Sequence, residues 1–175
     1  MVSPASAGPT DALVEALFEI RFNSAVHPEF VVGLLANKLS KRDYTVHRLP
    51  IADLPAILRA QDPNLTFQPT MQIETPGAAR VFKIGERVVS MHCLKDYPLW
   101  PSFQKECEAL AKNAKEALSG FSASRLGLRY VNLFSKARHQ VSGLPAFPLN
   151  IQLAGKEIKP PIHLNYRRRI KADLE

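Results

Sequence analysis

Cysteine is scarce in this chain, with only Cys93 and Cys107 in 175 residues, and no apolar run approaches the ~18 residues a membrane helix needs. Two cysteines cannot staple a disulfide-rich scaffold. Their places, on segments that read as a strand and a helix, suit two reduced core thiols better than a disulfide. Also missing are Cys-x-x-Cys, His-Glu-x-x-His, Gly-x-Ser-x-Gly and Gly-x-Gly-x-x-Gly. Zinc, hydrolase-elbow and dinucleotide chemistry therefore have no signature here. His27, His47, His139 and His163 show no metal spacing, and His92 lies beside Cys93 in a strand, so that the two side chains face opposite ways. No metal and no cofactor is expected. The N-terminus lacks a basic segment followed by a long apolar one, so a soluble cytoplasmic protein is expected, with no membrane partner.

What is present is ordinary globular composition, 46% hydrophobic and 22% charged, in a length that suits one domain plus an extension. The formal net charge of +7 is unevenly placed: residues 1–116 balance 13 Lys+Arg against 13 Asp+Glu, while residues 117–175 carry 10 against 3. The basic character belongs to the C-terminal third. Lys159, Arg167, Arg168, Arg169 and Lys171 there are the candidate nucleic-acid contacts, although a short basic run is more often a solvated face.

Residues 1–12 are small, polar and proline-containing and read as a mobile leader. In LVEALFEIRF, Val14, Ala16, Phe18, Ile20 and Phe22 alternate with Glu15, Glu19 and Arg21, the pattern of a strand with one buried face. Pro28 then opens a helix with Phe30, Val31, Leu34, Leu35 and Leu39 at helical spacing. YTVHRLP reads as a short strand, and four prolines between Pro50 and Pro69 argue against a long regular element. TMQIET, RVFKI and RVVSMHCL follow as an antiparallel meander with turns at PGAA and at Gly85–Glu86. Pro101 opens a second helix whose stripe is Phe103, Cys107, Leu110, Ala111, Ala114 and Leu118, with Gly120 at the C-cap. In the strand SRLGLRYVN, alternation turns Leu126, Leu128 and Tyr130 toward the core and Arg125, Gly127, Arg129 and Val131 away from it. Residues 135–175 form a proline-broken basic extension in which only IHLNYRRRI looks strand-like.

The blocks LVEALFEIRF, YPLW with Phe103 close behind, and RLGLRYVN resemble, in sequence and in spacing, a sporadically distributed family of uncharacterised prokaryotic proteins over roughly residues 11–134. The resemblance implies a fold and no activity. Its recurrent positions correspond to Glu15, Arg21, Tyr97, Trp100, Arg125, Gly127, Arg129, Tyr130 and Asn132, and family members continue into a second β-rich portion, which implies that residues 135–175 begin one here. Leu133 and Phe134 stand where the family carries a further polar residue.

Two candidate sites emerge. Arg125, Arg129 and Asn132, with Glu15 and Glu19 on the first strand, either form cross-strand ion pairs worth roughly 0.2–1 kcal/mol each or leave one arginine over for a carboxylate or phosphate. Tyr97 and Trp100, flanking Pro98, either plug the end of the core or anchor a partner. Asp96 and Glu86, near His92, are compatible with acid/base work.

The sequence thus predicts an α+β fold: an antiparallel twisted sheet of about six strands over residues 13–134, two helices packed on one face and the other face at least partly open. The leading functional expectation is a non-catalytic module binding a partner segment or a small anionic ligand. The runner-up is a nucleic-acid-associated regulator, and an enzyme of unknown type stands third. A homodimer, or a missing C-terminal half, is the expected cover for the open sheet.

Overall fold

Alternation at the start of the domain produces an eleven-residue strand, β1 (Leu13–Asn23), in a computed structural model that describes residues 12–133, residue 137 and residues 152–153 and 156–157. The chain continues through α1 (Pro28–Leu39), β2 (Thr45–Arg48), a 3₁₀ turn (Pro50–Asp53), α2 (Ala56–Gln61), β3 (Met71–Glu74), β4 (Arg80–Ile84), β5 (Val88–Cys93), α3 (Trp100–Ala117) and β6 (Ser122–Asn132). Six strands make one antiparallel sheet in the order β2-β3-β4-β5-β1-β6. The α+β architecture and the β3-β4-β5 meander are as the sequence predicts, and the proline-rich segment holds only the 3₁₀ turn and the six-residue α2. Chain-distant β1 closes the meander by pairing with β5, and β6 then pairs with β1.

One face of the sheet is roofed by α1 and α3. Val31, Leu35 and Leu39 of α1 and Phe103, Cys107, Leu110 and Ala114 of α3 meet Ile20, Ile73, Val89 and Met91 in one buried cluster. Burying each large aliphatic side chain contributes about 1.5–3 kcal/mol. The stripe on α1 is narrower than expected, because Phe30 and Leu34 fall outside the 31-35-39 line and stay exposed. Cys93 and Cys107 are buried free thiols, as expected. Burial pushes the Cys107 thiol up to about 11 and Cys93 upward too, so both remain protonated.

Two glycines are dictated by contact. A Cβ on Gly85 would stand 2.6 Å from the Gln68 carbonyl oxygen, at the turn where the Gly85 N–H donates to the Val88 carbonyl over 2.8 Å. At Gly120, φ is +65°, the left-handed conformation that lets the chain leave α3, and a Cβ would press on Ala25 at 2.9 Å.

β1 and β6 pair regularly from Glu15↔Val131 to Arg21↔Arg125, with a one-residue register shift at each end that leaves Val14 and Ser124 unpaired. This is why Val14, expected in the buried row, is exposed. A larger correction concerns Leu126, Leu128 and Tyr130. They do lie on the helix side, opposite Ile20, Phe18 and Ala16, but β6 is the sheet edge, and they are 63%, 47% and 39% exposed. The far face is partly open, as expected: open along β6, it is closed at its centre, where Val81, Val88, Ser90 and His92 are buried.

The chain divides after Leu133 into a second unit, in which β7 (Gln152–Leu153) pairs antiparallel with β8 (Lys156–Glu157), a pairing absent from the sequence reading. Lys159, Arg167, Arg168, Arg169 and Lys171 lie outside the described residues, as does most of the 1–12 leader. Among the described residues, no helix is long and apolar enough to cross a membrane.

Candidate functional site

The far face of the sheet, away from the helices, gathers the charged groups. Strand alternation puts Ser90 and His92 of β5, Glu15, Leu17, Glu19 and Arg21 of β1, and Arg125, Gly127, Arg129 and Val131 of β6 on this side. Leu17 lies directly opposite His92 on one flank and Arg129 on the other. Glu15, two residues along on the same face, is therefore diagonal to both, within reach of long side chains.

The carboxylate uses both diagonals. His92 Nδ1 lies 2.7 Å from Glu15 Oε1, and Arg129 Nη2 donates to Glu15 Oε2 over 3.3 Å. A carboxylate only accepts, so His92 carries its proton on Nδ1. The free Nε2 then accepts from the Ser90 hydroxyl, 3.0 Å away. Burial lowers the His92 pKa and outweighs the opposing pull of Glu15, so the ring is neutral at pH 7. For Glu15, burial pushes the pKa up, but the hydrogen bonds and charges of His92 and Arg129 bring it below the usual carboxylate value. Hydrogen bonds to a charged group contribute about 1.5–3 kcal/mol each, which offsets part of the cost of burying Glu15.

The remaining expected members fare differently. Glu19 turns to its own strand, accepting from Arg21 Nε at 2.8 Å, and Arg21 also lies 4.5 Å over the Phe67 ring. The cross-strand partner of Glu19 is Gly127, not an arginine, so the second of the expected cross-strand pairs does not form. Arg125 is exposed, stands directly opposite Arg21, and has no ion pair among the described residues. Asn132 falls with Tyr130 on the helix side, so alternation separates it from both arginines. Glu86 and Asp96 are not the partners of His92: Glu86 pairs with Arg59, and the carboxylate of His92 is Glu15.

Tyr97 and Trp100 part company as well. Tyr97 packs tilted against Phe103, ring centres 5.4 Å apart, and stands edge-on to Tyr130, with the two hydroxyls 3.0 Å apart, so it plugs the end of the core. Burial and the Tyr130 hydroxyl raise its pKa. Trp100, the first residue of α3, stays exposed. Before it, Leu99 adopts φ 65°, ψ 163°, a region costly for any side chain.

The link from Ser90 through His92 to Glu15 is what sequence reasoning missed. Ser-x-His in a strand puts both side chains on one face, which the sequence does show, but the carboxylate arrives through a β1–β5 pairing that no local pattern announces. Hydroxyl, imidazole and carboxylate stand in the order that activates a serine nucleophile. Ser90 is nevertheless only 5% exposed, in a central strand whose backbone is laddered to Lys83 on one side and Glu19 on the other. Those ladders leave no backbone N–H free there to hold an oxyanion.

Elsewhere a groove of about 530 Å³ is lined by Lys38, Lys41, Arg80, Asp96 and Glu106. Its Arg80 is engaged by Glu106 at 2.6 Å, and Lys38 by Glu116 at 2.7 Å. No group of His, Cys, Asp and Glu among the described residues is arranged to hold a metal ion. Comparison with known proteins adds no relative: no family model matches the chain, and neither a curated protein nor a solved structure does.

Proposed function

We propose that this domain is a non-catalytic binding module that captures an anionic group, a carboxylate or phosphate, on the β6 edge of its far face. The observation that carries the reading is Arg125. It is exposed, it faces Arg21 across the strand pair, and the nearest carboxylate along β1, Glu19, already accepts from Arg21. Like charges directly opposite one another are destabilising unless something offsets them. Gly127 leaves the side-chain row open between Arg125 and Arg129, room for a ligand that both guanidiniums reach as forks. Glu15 offsets Arg129 and Glu19 offsets Arg21, so among the described residues Arg125 is the one of the three arginines on this strip whose charge is left over.

Of the nine positions that the resemblance implies, Glu15, Arg21, Arg125, Gly127 and Arg129 fall on this face, while Tyr130 and Asn132 fall on the helix side. We keep Ser90, His92 and Glu15 as the buried network that fixes Arg129, rather than as a nucleophile.

Calorimetric titration with inorganic phosphate and with a short glutamate-rich peptide, at low salt, tests the reading. Binding that weakens about tenfold in Arg125→Ala and fades as salt rises is expected. Binding indifferent to Arg125 and Arg129, or none, overturns it. Labelling of Ser90 by a fluorophosphonate would reinstate the enzyme.

A further inference from the structure

The two edges of this sheet are built differently. β2 is four residues long and stops just before Pro50, both devices that discourage another strand from adding on. β6 has eleven residues and no proline, and it presents Leu126, Leu128 and Tyr130 in an exposed row. Tyr130 is held in place by Tyr97, so the row is preset. A long apolar edge of this kind is a template for an added strand.

The order of residues in β6 says which strand fits. Paired antiparallel with a second copy about a two-fold axis, β6 keeps its apolar row on one side only in registers that preserve alternation. Centred on Gly127, such a pairing sets Arg125 against Arg129. Centred on Arg129, it sets that residue against itself. Centred on Leu128, it sets Leu126 against Tyr130, Leu128 against Leu128, Arg125 against Val131 and Arg129 against Gly127. No like charges are then directly opposed, and every apolar residue of the row meets another. The stretch this register uses, residues 125–131, is also the one that pairs regularly with β1, clear of the shift at Ser124.

We propose that the β6 edge is a self-association surface, and that two copies of this chain join their six-stranded sheets through β6 in the register centred on Leu128. The contact is carried by the helix-side row and does not depend on an anion at Arg125.

Analytical ultracentrifugation of the full chain over a micromolar range tests this, with two variants. A concentration-dependent dimer is expected, weakened about tenfold or more by Leu128→Arg. Leu34→Arg, at an exposed position on α1, should leave it intact. Residues directly opposite across an antiparallel pair lie ~4.5–5.5 Å apart, within disulfide reach. Under mild oxidation Leu128→Cys therefore cross-links two chains, whereas Leu126→Cys alone does not. Should Leu128→Arg fail to fold, the cysteine pair decides. A monomer throughout the range, or a dimer that Leu128→Cys does not cross-link, overturns the proposal.

Discussion

β1 and β6 are each eleven residues long, lie side by side and share one alternation, yet Ile20 is fully buried and its cross-strand partner Leu126 is exposed. The difference is place and not composition. β1 has a strand on both flanks and helices above it, whereas among the described residues β6 has one neighbour, and its row is met from above only where Tyr97 stands against Tyr130. An apolar side chain gains stability only from the surface it removes from water, so the same letters are core in one strand and surface in the next.

The sharpest way to break this comparison is to truncate both partners. Ile20→Ala should cost about 2–5 kcal/mol through lost contacts and a cavity, and Leu126→Ala less than about 0.5 kcal/mol, read from urea denaturation of dilute protein. Equal costs would mean that β6 is covered after all.

A middle-sized effect separates the polar side of the two strands. Glu15→Gln removes the charge that His92 and Arg129 share and should cost about 1–3 kcal/mol. Its pH signature follows from the folded pKa values of Glu15 and His92, both of which lie below their ordinary ones. Each group binds its proton more readily in the unfolded chain, so the stability it contributes is fully present above its ordinary pKa and is lost as pH falls through the folded value. The loss begins just below the ordinary imidazole value of 6.5, for His92, and continues below 4.5, for Glu15. Below 4.5 the urea midpoint is expected to fall less steeply in Glu15→Gln than in the parent, whereas just below 6.5 the variant falls more steeply, because His92 has lost the upward pull of Glu15; parallel profiles would remove the network from the account.

The smallest effect concerns the segment leading from Tyr97 into α3. Leu99→Gly should not destabilise, and should gain up to about 1 kcal/mol in thermal or chemical melts, because glycine occupies that backbone conformation freely. A loss of more than that would show the exposed Leu99 side chain packing against something.

Much of this architecture is legible in the letters. Period-two runs mark β3, β4, β5 and the core face of β1, and Phe103, Cys107, Leu110 and Ala114 fix the buried side of α3. Gly85 and Gly120 stand where contact forbids a side chain. What alternation cannot report is order within the sheet. It assigns Leu126, Leu128 and Tyr130 a face without saying whether that face has a roof, and it cannot show that Glu15 lies beside His92, 77 residues away along the chain. The site was half legible for the same reason: the pairing of Glu15 with Arg129 follows once β1 and β6 are neighbours, whereas Glu19 prefers its own Arg21.

The unpaired residues Val14 and Ser124 set where this strand pair tolerates a change of length. Each is an extra residue outside the regular ladder, so the chain can drop either one and keep every partner from Glu15↔Val131 to Arg21↔Arg125. A deletion between those points has no such slack. It throws all residues on one side of it out of phase, turning Glu15 toward the helices or Ile20 away from them. Natural variants of this domain should therefore gain and lose residues at the two ends of the pair and never in its middle.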